Sequence, residues 1–287
     1  MFVDLKENTF VANFQINLAS ANFVNALPVT ITVEADSQDA FPMRSSNALI
    51  QIRPVFGGIS HSDVIPTTVS TGQTNIFAEI LHIANYNVSG SADIQLTGIT
   101  ITVEDDTNTV IDPTTALKRI MIRDDNTIYA FFSTIPSAAS PFYVPFIQPT
   151  TLSVSQTADL KLYVDIVDTI ATGNFQINIK IDADVTFRDK NTSLTITAQA
   201  INGDSFPMRT SIVIIQEKAT LCRVKPQDLM PYAVNKGQQN IQCMKLSFSN
   251  EGSANGANIL ITRIILNTEN SLDLNIIPKK QRFRDFI

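Results

Sequence analysis

Apolar and polar side chains alternate with a period of two in Ile76–Ile83, Ile94–Val103, Leu160–Val167, Phe175–Ile181 and Leu194–Ala198, and β-branched residues fill many of the apolar positions. In an extended chain such alternation turns one face to a core and the other to solvent, so each segment predicts a half-buried strand. Turn-forming residues punctuate them at Asn87-Val88-Ser89-Gly90, Asp105-Asp106-Thr107-Asn108, Asp124-Asp125-Asn126 and Asn202-Gly203-Asp204. No window holds an apolar stripe at helical spacing over several turns; Pro113–Ile120 predicts at most a short helical turn. Many short strands with regular punctuation predict an all-β sandwich.

The pattern repeats. Asp39-Ala40-Phe41-Pro42-Met43-Arg44 returns as Asp204-Ser205-Phe206-Pro207-Met208-Arg209, and Gly72-Gln73-Thr74-Asn75-Ile76 as Gly237-Gln238-Gln239-Asn240-Ile241, both displaced by 165 positions. Towards the N-terminus the displacement becomes 161, where Asn13-Phe14-Gln15-Ile16-Asn17 matches Asn174-Phe175-Gln176-Ile177-Asn178. The second copy therefore holds four extra residues, expected in the turn around Arg188-Asp189-Lys190-Asn191. This predicts tandem antiparallel β-sandwich modules: residues 1–57 as the back of one unit, 58–222 as a complete unit and 223–287 as the front of a third. Partial units leave apolar faces and strand edges to cover. Either the chain is a window on a longer array, or its end pieces complement each other within or between chains.

The order of alternating strand, acidic turn, Asp112-Pro113 corner, strand and late Phe-Pro-Met motif resembles the large Ig-like or jelly-roll-like modules repeated in prokaryotic surface and adhesin-type proteins. The resemblance covers the whole chain as a pattern and includes no diagnostic motif. It implies an extracellular or cell-surface protein, non-catalytic and structural or adhesive, whose modules act as spacers or contact surfaces and supply no catalytic residues. The partners expected are neighbouring copies or repeat units, with a surface polymer or glycan as the other option. The rival reading is a carbohydrate- or polymer-binding module of a secreted multidomain protein. An exposed aromatic row on a sheet favours the rival; buried aromatics favour the structural role. A capsid or tail protein suits a jelly roll but fits tandem repetition poorly.

Composition narrows these classes. With 44% hydrophobic and 17% charged residues the chain has globular composition, and no apolar stretch reaches the roughly 18 residues that cross a bilayer. The first residues carry no charged segment followed by an apolar core, so no secretion signal is read there. A net charge of −6 argues against nucleic-acid binding. The charge is uneven: residues 58–122 carry 2 basic and 7 acidic side chains, whereas their counterparts 223–287 carry 9 and 5. That inversion suggests head-to-tail association of acidic and basic pieces, centred on Lys279, Lys280, Arg282 and Arg284. Cys222 and Cys243 lack zinc-site spacing and leave open a disulfide or two buried thiols.

No catalytic signature motif is present, and His61 and His82, whose repeat counterparts are Pro226 and Ser247, read as structural; the expectation is no enzyme. Acidic turns offer weak calcium candidates, first Glu104, Asp105, Asp106 and Asn108, although Glu104-Asp105-Asp106 becomes Glu269-Asn270-Ser271 in the other copy. No other cofactor is expected. The Asp-x-Phe-Pro-Met-Arg motif reads as a fold signature. Phe41 and Phe206 would anchor a core, Pro42 and Pro207 would end hydrogen bonding at a sheet edge, and Asp39 and Asp204 would cap the turn or pair with Arg44 and Arg209. Phe131, Phe132, Phe142, Tyr143 and Phe146 read as core or inter-module packing. Asn87 and Asn191 stand in glycan-acceptor patterns.

Overall fold

A computed structural model describes residues 13–19, 23–24, 30–31, 40, 42–135, 140–168, 173–252 and 256–266. The chain divides into two compact units, Met1–Gln216 and Glu217–Ile287. Among the described residues every long element is a strand; the only helical pieces are two 3-10 turns, and no helix is long and apolar enough to cross a membrane.

Among its described residues the first unit begins with six two-residue strands, β1 (Asn13–Phe14), β2 (Asn17–Leu18), β3 (Phe23–Val24), β4 (Thr30–Ile31), β5 (Met43–Arg44) and β6 (Ala48–Leu49), which pair as β1 with β6, β2 with β5 and β3 with β4. Thirteen strands then build one large mixed sheet. They are β7 (Phe56–Asp63), β8 (Thr68–Ser70), β9 (Ile76–Ala84), β10 (Ile94–Glu104), β11 (Leu117–Arg123), β12 (Ile128–Phe132), β13 (Phe142–Leu152), β14 (Thr157–Ile166), β15 (Asn174–Ile179), β16 (Val185–Asp189), β17 (Thr195–Ala200), β18 (Met208–Arg209) and β19 (Val213–Gln216). The order is β12-β11-β14-β9-β7-β17-β16-β10-β15-β19-β8, with β13 on β10 and β18 on β15. Pairing is antiparallel except for β7 with β17 and β8 with β19. The second unit is described chiefly by the hairpin β20 (Cys222–Asp228) and β21 (Met244–Asn250).

The alternating segments become strands for the expected reason. Ile59, Leu81, Ile83, Ile94, Leu96, Ile99, Ile101, Leu160 and Phe175 are fully buried, and the residues between them face outward or onto loops. Each such aliphatic side chain contributes about 1.5–3 kcal/mol by leaving water. Pro113 does open a helical turn, Pro113–Thr115, capped by the Asp112 carboxylate accepting from Thr114 N. The chain then re-extends into β11. Strand β13 contains Pro145 and Pro149 and did not stand out by alternation; it lies against β10, where a proline lacking its N–H is tolerated if that position faces away from the partner. Opposite Pro145 sits Gly98, at a register shift of β10.

The pairing registers recur by number. In β20 and β21, Arg223 pairs Ser249 and Asp228 pairs Met244, each number 165 above Gly58↔Ala84 and Asp63↔Glu79 of β7 and β9. The parallel bridges Ile52↔Ser91 and Glu217↔Gly256 obey the same rule, as do the hydrogen bonds from Gln73 N to Ser70 O and from Gln238 N to Asn235 O. Asn17↔Arg44 matches Asn178↔Arg209, and Asn13↔Leu49 matches Asn174↔Ile214. One expectation shifts: Phe23↔Ile31 corresponds to Phe187↔Ile196, a displacement of 164 for the first residue. Three of the four extra residues therefore precede Phe187, where the 3-10 turn Asp182–Asp184 lies, and only one falls in the Arg188–Asn191 turn.

Gly57 marks where β7 meets the core. A Cβ there would lie 2.3 Å from the ring of Phe187, which is fully buried and has no room to retreat. Gly57→Ala is predicted to destabilise the chain by about 1–3 kcal/mol through overpacking, read as a lower midpoint in urea denaturation with an unchanged slope.

Candidate functional site

Strands β7, β9 and β14 lie side by side, and their registers place Ser60 opposite His82 and His82 opposite Asp159. Because alternate residues share a face, Ser60, Ser62, His82, Asp159 and Lys161 turn away from the face that carries Ile59, Leu81, Ile83, Leu160 and Leu162. A hydrogen-bonded chain crosses the three strands: Ser62 Oγ stands 2.8 Å from His82 Nε2, and His82 Nδ1 stands 2.7 Å from Asp159 Oδ1. A carboxylate only accepts, so in the neutral ring Nδ1 carries the proton and Nε2 accepts from the Ser62 hydroxyl. The Asn202-Gly203 turn leans over this face, with Asn202 Nδ2 donating to Ser60 Oγ at 3.2 Å. An open hollow of about 490 Å³ results, lined by Ser60, His61, Ser62, His82, Asn202, Gly203 and Asp204.

His61 has a different role. Asp204 Oδ2 accepts from His61 N at 2.8 Å and stands 2.6 Å from His61 Nδ1, while Nε2 faces Arg209 O at 3.2 Å. Burial acts to raise the Asp204 pKa, but hydrogen bonds from the His61 ring, His61 N and Ser205 N outweigh it and hold the carboxyl below its usual value. Asp204 thus ties the Phe-Pro-Met motif to β7, and it does not pair with Arg209.

Glu79 lies opposite Asp63 in β9 and is buried, with Oε1 lacking a hydrogen-bond partner. Asp63 is engaged elsewhere, accepting from Ile65 N at Oδ1 and from Ser211 N and Oγ at Oδ2. Burial, and then the charges of Asp63 and Asp204, push the Glu79 carboxyl well above its ordinary range. Two carboxylates directly opposite in a sheet repel, and keeping the buried one protonated removes that repulsion.

The sequence-derived residues distribute as follows. Glu104 is buried and accepts from Asn178 Nδ2 at 2.7 Å; Lys180 Nζ is 2.5 Å from Oε1 and Arg209 Nη2 3.9 Å from Oε2. Asp105 Oδ1 accepts from Thr107 N, Thr107 Oγ1 and Thr109 N. Asp106 accepts from Asn174, and Asn108 Oδ1 accepts from Gln176 Nε2 and Arg209 Nη1. At least one side-chain oxygen of each of these four residues already takes a protein donor, and two cationic side chains stand beside Glu104. Among the described residues no cluster of His, Cys, Asp and Glu is arranged to hold a metal ion.

Of the fold-signature residues, Met208 is fully buried, Phe206 packs against the core and the Phe206-Pro207 peptide is cis. Arg209 reaches Glu104 and Asn108. In the other copy Pro42 and Arg44 are exposed and Met43 half-buried, while Asp39 and Phe41 lie outside the described residues. Lys279, Lys280, Arg282 and Arg284 also lie outside them. Cys222 and Cys243 are exposed and unbridged, which corrects the expectation of a disulfide or two buried thiols. The Asn87 side chain is buried and bonded at both ends of its amide, accepting from Val55 N at 2.7 Å and donating to Phe56 O at 2.7 Å. It serves the fold.

The aromatic cluster splits. Phe142 is buried, and Phe132 and Phe146 pack on the core, whereas Phe131 and Tyr143 are 44% and 45% exposed. Phe131 belongs to a straight cross-strand row that the sequence did not reveal: Phe77 opposite Tyr163, Tyr163 opposite Met121, Met121 opposite Phe131. Phe77 and Tyr163 stack at 5.1 Å, and the guanidiniums of Arg123 and Arg119 lie 5.4 Å from the Tyr163 ring and 5.6 Å from the Phe131 ring.

The chain matches no protein-family model, and comparison with curated proteins finds no match.

Glu79 generates a pH prediction. Its folded pKa is raised, so its contribution to stability is complete below the unfolded pKa and is lost as pH rises towards the folded value. Chemical denaturation across that range should show wild-type stability falling with pH, and Glu79→Gln should flatten the dependence and be the more stable protein at the upper end.

Proposed function

We propose that this chain is a structural or adhesive repeat protein of an extracellular or cell-surface assembly, built from β-sandwich modules of about 165 residues. The observation that carries the reading is the recurrence of pairing registers at that displacement, down to the hydrogen-bonded turn at Gly72 and Gly237. One-residue slips exchange the two faces of a strand, so a shared register means the same residues are sent to the same faces. Serial modules of one kind supply length and repeated surfaces. Neighbouring units are the natural partners, since Val224, Met244 and Phe248 of the hairpin β20–β21 are exposed. Antibodies against the chain should label intact cells of its source and find it in the wall or envelope fraction; confinement to the lysate would refute the surface role.

A second reading, polymer binding, is favoured by the row Phe77–Tyr163–Met121–Phe131 on one sheet face with Arg119 and Arg123 over its rings. Aromatic faces flanked by guanidiniums suit stacking against sugar rings. In pull-downs with insoluble polysaccharides the wild type should be retained, and Tyr163→Ala with Phe131→Ala should lower affinity about tenfold. Failure of every polysaccharide tried to retain the wild type would remove this reading and leave the first.

A further inference from the structure

We propose that Ser62, His82 and Asp159 form an acyl-transfer site in which Ser62 is an activated nucleophile toward carboxylic esters. This goes beyond both readings above and depends on neither.

Three observations carry it. The two hydrogen bonds run in the order an activated serine requires, hydroxyl to Nε2 at 2.8 Å and Nδ1 to carboxylate at 2.7 Å, so the imidazole is held in the tautomer that can take the serine proton. The three residues stand on adjacent, paired strands and not on loops, which fixes their spacing through backbone register. The strand pairing does not need Ser62 or His82: at the positions 165 further on, Gln227 and Ser247 replace them, yet β20 and β21 pair in the same register. The other histidine makes the contrast, since both nitrogens of His61 are directed at acceptors within the structure.

The chemistry follows from placement. Ser62 lines the open hollow together with Asn202 and Gly203; Asn202 Nδ2 gives one hydrogen to Ser60 Oγ, and its second, with the Gly203 N–H, is the donor set assigned here to a developing oxyanion. Ser62 Oγ bonds to the ester carbonyl carbon while its proton passes to His82 Nε2. The tetrahedral adduct then collapses, the bond to the alcohol oxygen breaks, and the alcohol departs with the proton from Nε2. Water repeats the sequence on the acyl-serine, releasing the carboxylic acid and restoring the hydroxyl. Asp159 positions the ring. Its side chain is 61% exposed, so its support is weakened by solvent, and the site suits esters and not amides.

The test uses the whole chain with two probes, a fluorophosphonate and p-nitrophenyl acetate. The expected result is a single phosphonyl adduct mapped to Ser62 by peptide mass spectrometry, with ester hydrolysis that the adduct blocks. Ser62→Ala should abolish both, His82→Ala should slow labelling by about 100-fold or more, and Asp159→Asn by about tenfold. The wild-type mapping needs no variant and so stands even if one misfolds; melting curves identify such a case. No adduct, an adduct at a different serine, or a folded His82→Ala that labels at the wild-type rate would overturn the proposal.

Discussion

Cross-strand register is the constraint on which the rest of this molecule depends. The side-chain period of a strand is two, so the pairing of β7, β9 and β14 decides in one step that Ile59, Leu81 and Leu160 enter the core while Ser62, His82 and Asp159 do not. A slip of one residue would bury an imidazole and a carboxylate and expose three fully buried aliphatics. The glycines at the start of β7 serve the same end, since the backbone at Gly57 sits against the Phe187 ring and leaves no space for a side chain.

Two buried glutamates show how the fold handles charge by opposite means. Glu104 keeps company with Lys180, Arg209 and Asn178, and through Arg209 it ties the end of β10 to the Phe-Pro-Met-Arg motif. Glu79 has no cationic partner among its described contacts and faces Asp63 and Asp204, so burial and like charge favour the protonated acid. The first solution links segments about a hundred residues apart; the second makes the pairing of β7 with β9 sensitive to pH. Asp204 joins the two regions, being bonded to His61 of β7 and contained in the motif that ends in Arg209.

The outward face of β12, β11, β14, β9 and β7 carries the polar Ser62–His82–Asp159 chain and the aromatic row ending at Phe131. The two features lie four residues apart along β14, roughly 13 Å at strand rise. A surface of this kind is open to an extended molecule and needs no enclosed pocket.

Strand positions and turns were legible from the chain alone, because alternation and turn chemistry are local signals that read directly as φ, ψ and face. Strand β13 was not, since Pro145 and Pro149 break the local signal; among the described strands β13 pairs with β10 alone, which leaves its other side free to take residues without an N–H. The serine-histidine-aspartate chain was equally hidden: Ser62 and His82 are 20 residues apart, His82 and Asp159 are 77 apart, and each alone is an ordinary polar residue on the wet side of a strand. Of the two roles open to Asp204, capping its turn or pairing with Arg209, it accepts from Ser205 N in the turn, while Arg209 reaches Glu104 and Asn108, which are about a hundred positions away in sequence. Sequence thus determined which segments extend and which face of each is apolar. Tertiary structure decided which strands lie side by side, and with that which distant side chains meet, because strand neighbours are set by competition among all the sheet edges in the chain and no short stretch contains that information.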